Sequence, residues 1–177
     1  MVNKFLTLLL AIVFVAGGAF SQNEEAPYRL GAGDQIRITV FGEEDLSGNF
    51  EIDGGGMVSL PLIGSVAIGG KNISMAQSAV AVLLADGYLI SPRVNIEVLN
   101  YRPFYIIGEV NQPGSYPYVS GMTVLKAIAL GSGFTYRANE KKFELTRKVD
   151  GKDVKITAKL DTIVRPGDII RVDERFF

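Results

Sequence analysis

From Gln35 to Val40 apolar and polar side chains alternate: Ile36, Ile38 and Val40 fall on one side, Gln35, Arg37 and Thr39 on the other. A period of two predicts a strand with one buried face. The tight turn Gly31-Ala32-Gly33-Asp34 precedes it. The polar stretch from Gly42 to Gly48 reads as a loop, and a second short strand carries Phe50 and Ile52 to Asp53-Gly54-Gly55-Gly56. Val58, Leu60 and Leu62 then alternate again, with Pro61 marking an edge strand or a strand end. Here the period changes. Ala76, Ala79, Val80, Leu83 and Leu84 share one helical stripe, Ser74 and Gln77 have capping-box spacing, and Gly87 suits a left-handed helix end. The stripe is expected to pack on Ile36, Ile38, Leu60 and Leu62. After Ser91-Pro92, Val94, Ile96 and Val98 alternate with Asn95 and Glu97, a further strand.

Residues 100–103 read as a short polar and aromatic link, and a second pattern starts at Phe104. Tyr105 to Val110 is a strand. Asn111-Gln112-Pro113-Gly114 is a turn whose Pro-Gly pair suits type II geometry, and Ser115 to Val119 is the return strand. Thr123 caps a short helix bearing Val124, Leu125 and Ile128, stopped by Gly131-Ser132-Gly133. Phe143 to Lys148 and Val154 to Ala158 read as strands, and Pro166-Gly167-Asp168 leads into a closing strand, Ile169 to Val172. Two strands, a helix and then more strands is the order of a β-grasp. The fold class is therefore α+β: a small β-rich domain with one packed helix over residues 22–100, then a β-grasp, ubiquitin-like domain over residues 101–177.

Ahead of both lies an early Lys4, an apolar run from Phe5 to Ala16 and small residues to Ser21. A helix needs roughly 20 apolar residues to cross a bilayer, and this run is shorter. Residues 1–21 read as a secretory signal peptide cleaved before Gln22.

The 177 residues carry 18 Lys and Arg against 19 Asp and Glu, a net charge of −1. Near-neutral charge argues against nucleic acid as a partner. There is no Cys, hence no disulfide or thiol chemistry, and no His, which removes the usual zinc sites and histidine acid–base catalysis. The charge is uneven. Residues 22–100 hold 4 basic and 10 acidic residues, whereas residues 137–160 hold 8 basic and 4 acidic ones. Two readings stand: solvated faces, or head-to-tail contact between copies, which closes into a ring when the rotation permits.

Candidate chemistry is sparse. Glu43, Glu44 and Asp45 form a carboxylate cluster, but adjacent residues do not provide the two opposed carboxylates of a glycosidase. Ser47 and Ser59 have no histidine to activate them. Asp53 and its glycines lack the alternating oxygen ligands of a calcium loop. Gly31-x-Gly33 lacks the third glycine of a dinucleotide fingerprint, since Ile36 stands there. No catalytic, cofactor-binding or metal-binding residue is expected. Tyr101, Tyr105, Tyr116, Tyr118 and Tyr136, with Phe134, form an aromatic group in the second domain. They either face saccharide or pack the core. Finally, Gly33-Asp34-Gln35-Ile36-Arg37-Ile38 and Gly167-Asp168-Ile169-Ile170-Arg171-Val172 share one frame. It reads as a turn whose Asp accepts backbone N–H bonds before a strand, rather than as a duplicated binding site.

The first domain resembles the export domain of bacterial polysaccharide export proteins. The resemblance rests on Tyr28, Leu30, Gly31, Gly33, Asp34, Ile36, Ile38, Val40 and Gly42. It continues through Asp45-Leu46-Ser47, Ile52-Asp53, Gly56 and Ser59-Leu60-Pro61-Leu62-Ile63-Gly64. The second domain resembles the soluble-ligand-binding β-grasp (SLBB) domain that follows it in that family. It does so through Gly108-Glu109-Val110, Pro113-Gly114, Tyr116, Gly121-Met122-Thr123-Val124-Leu125, Ala127-Ile128 and Gly133-Phe134-Thr135. The resemblance implies a periplasmic, outer-membrane-associated component of a capsule or exopolysaccharide export machine, without catalysis or cofactor. It implies a homo-oligomeric ring around the polymer and an inner-membrane co-polymerase, often with a tyrosine kinase domain. Larger members cross the outer membrane with a C-terminal amphipathic helix, whereas this sequence ends at Phe177 after its last expected strand. A separate outer-membrane β-barrel is therefore expected, and no lipid anchor, which would need a Cys. The alternative is a monomeric periplasmic saccharide-binding module.

Overall fold

The structure is a computed structural model and describes residues 27–149 and 151–175. The expected signal peptide, residues 1–21, lies outside them. The first half is built on a sheet of three strands in the order β2-β1-β5. These are β1 (Gln35–Val40), β2 (Glu43–Glu51) and β5 (Val94–Asn100). A separate antiparallel hairpin, β3 (Met57–Leu60) with β4 (Gly64–Ala67), and one helix, α1 (Ile73–Ala85), complete it. Alternation in β1 buries Ile36, Ile38 and Val40. They join Val58, Leu60, Val66, Ile68, Ala76, Val80, Leu84 and Ile96 in one core.

Four expectations need correction. Residues 42–48 are not a loop. Val40 pairs with Glu43 across the turn Phe41-Gly42, where Gly42 has φ 88°. Pairing then jumps to Ile38 with Gly48, so residues between bulge out of β2. Within the bulge Leu46 turns into the core. Ser47 Oγ accepts from the Val40 N–H at 2.9 Å and donates to the Glu43 carbonyl at 2.9 Å, replacing ladder bonds the bulge removes. Outward-facing Glu43, Glu44 and Asp45 hid the strand. Leu62 does not join the core: it sits in the β3–β4 turn with φ 66° and is 61% exposed. The period of two stops at Leu60, which pairs with Gly64, and Val66 and Ile68 fill the place instead. The cap of α1 is Asn72, whose Oδ1 accepts from the Met75 N–H at 2.8 Å, because the helix begins one residue before Ser74. Gln77 reaches β5 instead, donating to Asn95 Oδ1 at 3.2 Å. Lastly, Leu83 is exposed, since only Ala76, Val80 and Leu84 face the core.

The second half holds β6 (Phe104–Gly108), β7 (Gly114–Tyr116), α2 (Val124–Leu130), β8 (Ala138–Val149), β9 (Lys152–Ala158) and β10 (Ile169–Glu174). Its sheet runs β7-β6-β10-β8-β9, with β6 and β10 parallel and the other neighbours antiparallel. A last strand placed parallel to the first, between two hairpins, with one helix across the sheet, is the β-grasp. At the β6–β10 crossing Gly108 is required: a Cβ there would lie 2.1 Å from the Val172 carbonyl oxygen. Thr123 caps α2 as expected, and Val124, Ala127 and Ile128 face Phe104, Phe143 and Ile170 in the second core. Leu125, next to Val124, points away and is exposed, because consecutive helical residues do not share a face. The type II turn expected at Pro113-Gly114 is not adopted. Gly114 shows no positive φ and already belongs to β7, while Asn111 and Gln112 donate their N–H groups to Gly133 and Gly131.

Candidate functional site

Two turns of identical construction face each other where the halves meet. In Gly31-Ala32-Gly33-Asp34 the Asp34 N–H donates to the Gly31 carbonyl at 3.1 Å, and Asp34 Oδ2 accepts the Gly31 N–H at 2.8 Å. In Arg165-Pro166-Gly167-Asp168 the same two bonds measure 3.1 Å and 2.7 Å. Gly33 and Gly167 stand third, at φ 85° and 83°, the left-handed residue that a type II turn requires. Each turn releases directly into a strand, β1 or β10. The repeated frame is thus a turn that closes on its own aspartate.

Both aspartates are almost completely buried, at 0% and 1% exposure, so each needs a full set of donors. Asp168 accepts from Arg147 on β8 through Nε at 3.0 Å and Nη2 at 2.7 Å, a two-pronged pair. Asp34 is served from the link. Its Oδ1 accepts the Arg102 N–H at 2.9 Å, and its Oδ2 accepts Arg102 Nη1 at 3.1 Å and the Tyr28 hydroxyl at 2.5 Å. Burial and the bond to the Asp34 carboxylate push the Tyr28 phenol far above the ordinary tyrosine range. Arg102 also lies over the Tyr28 ring, 5.7 Å from its centroid, and donates to the Tyr28 oxygen at 2.8 Å.

Arg102 is held from the other side too. A Cβ on Gly31 would lie 2.5 Å from Arg102 Nη1, and one on Gly167 would lie 2.8 Å from Arg102 Nε. The guanidinium is therefore clasped between the two turns, one from each half. The Gly167 N–H donates to the Pro103 carbonyl at 3.0 Å, which fastens the link to the second half. No buried side-chain nitrogen or oxygen among the described residues lacks a partner.

Above this clasp a cleft of about 620 Å³ opens between the halves. Its first wall is residues 27–32 with Gly70. The opposite wall comes from the loop after β7, the end of β8 and the loop before β10. Of the five tyrosines read from the sequence, Tyr101 and Tyr118 line it. They touch edge to face at 5.3 Å, and Tyr101 meets Tyr28 the same way at 4.9 Å. The other three are elsewhere. Tyr116 stacks on Phe104 beside the second core and donates to the Gln112 carbonyl at 2.6 Å. Tyr105 and Tyr136 are exposed away from the cleft. The selection by residue type thus overlooked Tyr28 and Arg102. The tyrosine before the first turn and the paired Gly-Asp frames were the available signals, but neither announced the arginine between them.

The carboxylates of Glu43, Glu44 and Asp45 lie exposed along the edge strand β2. Asp53 Oδ1 accepts the N–H groups of Gly55 and Met57, at 2.8 Å and 2.9 Å, an aspartate-closed turn. Among the described residues no group of three acidic, His or Cys side chains could hold a metal ion. No described helix is long and apolar enough to cross a membrane.

Architecture and sequence agree on the class. Residues 22–99 match the profile of the polysaccharide biosynthesis/export protein family, and residues 103–157 match that of the SLBB domain. The chain belongs to the polysaccharide export protein family. It is 33% identical to the exopolysaccharide production protein ExoF of Rhizobium meliloti, over 81% of this chain and 37% of that protein. It is 25% identical to the EPS I polysaccharide export outer membrane protein EpsA of Ralstonia nicotianae, over 84% of this chain and 48% of that one. It is 28% identical to the polysialic acid transport protein KpsD of Escherichia coli, over 60% of this chain and 19% of that one. The chain therefore spans less than half the length of each of these relatives. The SLBB match stops before β10, yet β10 is the central strand of its sheet, so the folded unit extends at least to Glu174.

Proposed function

We propose that the chain is a periplasmic, outer-membrane-associated wall element of an exopolysaccharide or capsule export machine. Copies of it assemble into a ring around the moving polymer. The observation that carries this reading is the Arg102 clasp, read with the family membership. An export region and a β-grasp domain, meeting at residues 100–101, are fixed to one another as a conduit wall needs, and among the described residues the carboxylates Glu43, Glu44 and Asp45 lie exposed along one edge strand. Charge supports ring closure. The edge strand β2 of the first sheet carries Glu43, Glu44, Asp45 and Glu51 and no basic residue. The edge strand β9 of the second sheet carries Lys152, Asp153 and Lys155, the last paired with Glu144, with Lys159 just beyond. An acidic edge on one sheet and a lysine-bearing edge on the other favour head-to-tail contact. The chain acts as a passage rather than a catalyst. Its partners are the polymer, an inner-membrane co-polymerase bearing a tyrosine kinase and an outer-membrane β-barrel.

Two measurements test this. Deleting the gene should remove polymer from the cell surface and leave it inside the cell; unchanged surface polymer overturns the reading. Sedimentation of the mature protein should show self-association that weakens with salt. A sharp monomer at high concentration favours the single saccharide-binding module instead.

A further inference from the structure

We propose that the cleft above the Arg102 clasp is a subsite for a carboxylate-bearing sugar unit, such as a uronate, of the transported polymer. The polymer context rests on the function proposed above; the chemistry of the cleft stands independently.

The argument begins with charge. Among the described residues Arg29, Arg102, Arg147, Lys148 and Arg165 line the cleft, and Asp168 is the one acidic residue that does. Arg102 and Arg147 are neutralised by Asp34 and Asp168. Those two carboxylates are spent: Asp34 accepts four hydrogen bonds and Asp168 three, close to the four that a carboxylate can accept. Among the described residues Arg29, Lys148 and Arg165 therefore add positive charge that no carboxylate pairs with. Arg29 uses Nη1 on the Gly70 carbonyl at 2.8 Å, a neutral partner. Among the described residues the side chains of Lys148 and Arg165 make no hydrogen bond or ion pair. A concave surface lined by one sign of charge concentrates counter-ions of the other.

Shape and apolar surface narrow the ligand. Sugar rings offer C–H faces to aromatic side chains and hydroxyls to polar rims. Tyr101 and Tyr118 supply the aromatic surface here, and Ile163, Pro166 and Ser120 line the cleft with them. A free inorganic anion would use the cations and ignore the tyrosines. A neutral sugar would use the tyrosines and leave the cations idle. A uronate engages both, with Arg165 able to present a guanidinium fork to its carboxylate. The cations are exposed, so the contacts are individually weak, as release of a passing chain requires.

The test is a titration of the mature protein, followed by two-dimensional amide NMR, with trigalacturonate, maltotriose and inorganic phosphate in parallel. Trigalacturonate should give saturable shifts around Tyr101, Tyr118, Lys148 and Arg165, at least about fivefold tighter than either control and weakened by added salt. The double variant Lys148→Gln with Arg165→Gln should lose roughly fivefold in affinity while keeping its spectrum, and Lys148→Arg with Arg165→Lys should retain binding. Equal affinity for maltotriose, equal response to phosphate, shifts mapping elsewhere, or an unaffected double variant overturns the subsite. A failed titration alongside export that still depends on the gene sinks the subsite alone. Selective uronate binding by a protein whose deletion leaves export intact sinks the conduit and leaves the subsite standing.

Discussion

Asp34 and Asp168 begin from one sequence frame, close the same turn and are equally buried, yet they do different work. Asp168 takes its arginine, Arg147, from the neighbouring strand of its own sheet, so the pair fastens β10 to β8 within the β-grasp. Asp34 takes Arg102 from the link, main chain and side chain together, so its pair fastens one half of the molecule to the other. A buried carboxylate at a strand entrance needs a cation; which chain segment supplies it decides whether the turn stabilises a domain or a junction.

That contrast can be broken most severely at the carboxylates. Asp34→Ala and Asp168→Ala each remove a buried acceptor and strand an arginine, and each should cost about 3 kcal/mol of stability in urea unfolding. The second readout separates them. The chain has no native Cys, so spin labels can be placed at Ser65→Cys and Lys155→Cys, one exposed site in each half. Asp34→Ala should broaden the distance distribution between the labels, whereas Asp168→Ala should leave it narrow. Equal broadening in both would refute the division of labour.

Next come the glycines. Gly33→Ala and Gly167→Ala place an L side chain at a positive φ, a strain of about 1–2 kcal/mol each. At Gly33 the new methyl meets only Arg102 Cβ at 3.7 Å, an ordinary contact, but at Gly167 it meets Arg102 Nε at 2.8 Å. Gly167→Ala should therefore be the more destabilising and should alone disturb the interdomain distance. Arg102→Lys belongs here too. It keeps the charge but loses the planar fork, and a loss of about 1–2 kcal/mol with a broadened distance distribution is expected.

The cores were legible because they follow period. Ile36, Ile38 and Val40, or Val124 and Ile128, announce their buried face through spacing alone. The Gly-Asp turns were legible for the same local reason, since an aspartate closing on the N–H three residues back needs nothing distant. Other features depended on residues far along the chain. Strand β2 reads as polar because its only deep side chain, Leu46, is brought inward by a bulge that Ser47 stabilises. Pro113-Gly114 has the composition of a type II turn, yet the type II turn with Pro-Gly is at Pro166-Gly167. Pairing of the neighbouring strands decides this, and composition does not report it. Arg102 is the sharpest case: its three sets of contacts lie near Tyr28, Asp34 and Gly167, at sequence distances that no local pattern records.

The gentlest probe is Tyr28→Phe, which removes one donor to Asp34 and leaves the arginine in place. At neutral pH the expected loss is about 1 kcal/mol, the value of one hydrogen bond to a charged acceptor reduced by partial exposure. The alkaline range tests the junction more finely. In the unfolded chain Tyr28 ionises near the ordinary tyrosine value of about 10. In the folded protein burial and the Asp34 bond hold the phenol protonated well beyond that. Above about pH 10 the folded state thus binds more protons at this site than the unfolded state, and stability falls as pH rises. The contribution is fully present below that pH. Tyr28→Phe lacks the titrating group, so its alkaline loss should be shallower and the two stability curves should converge as pH rises. Parallel curves would mean that Tyr28 titrates normally in the folded protein. The Tyr28–Asp34–Arg102 triad would then be open to water in solution, and Asp34 would hold the junction through Arg102 alone.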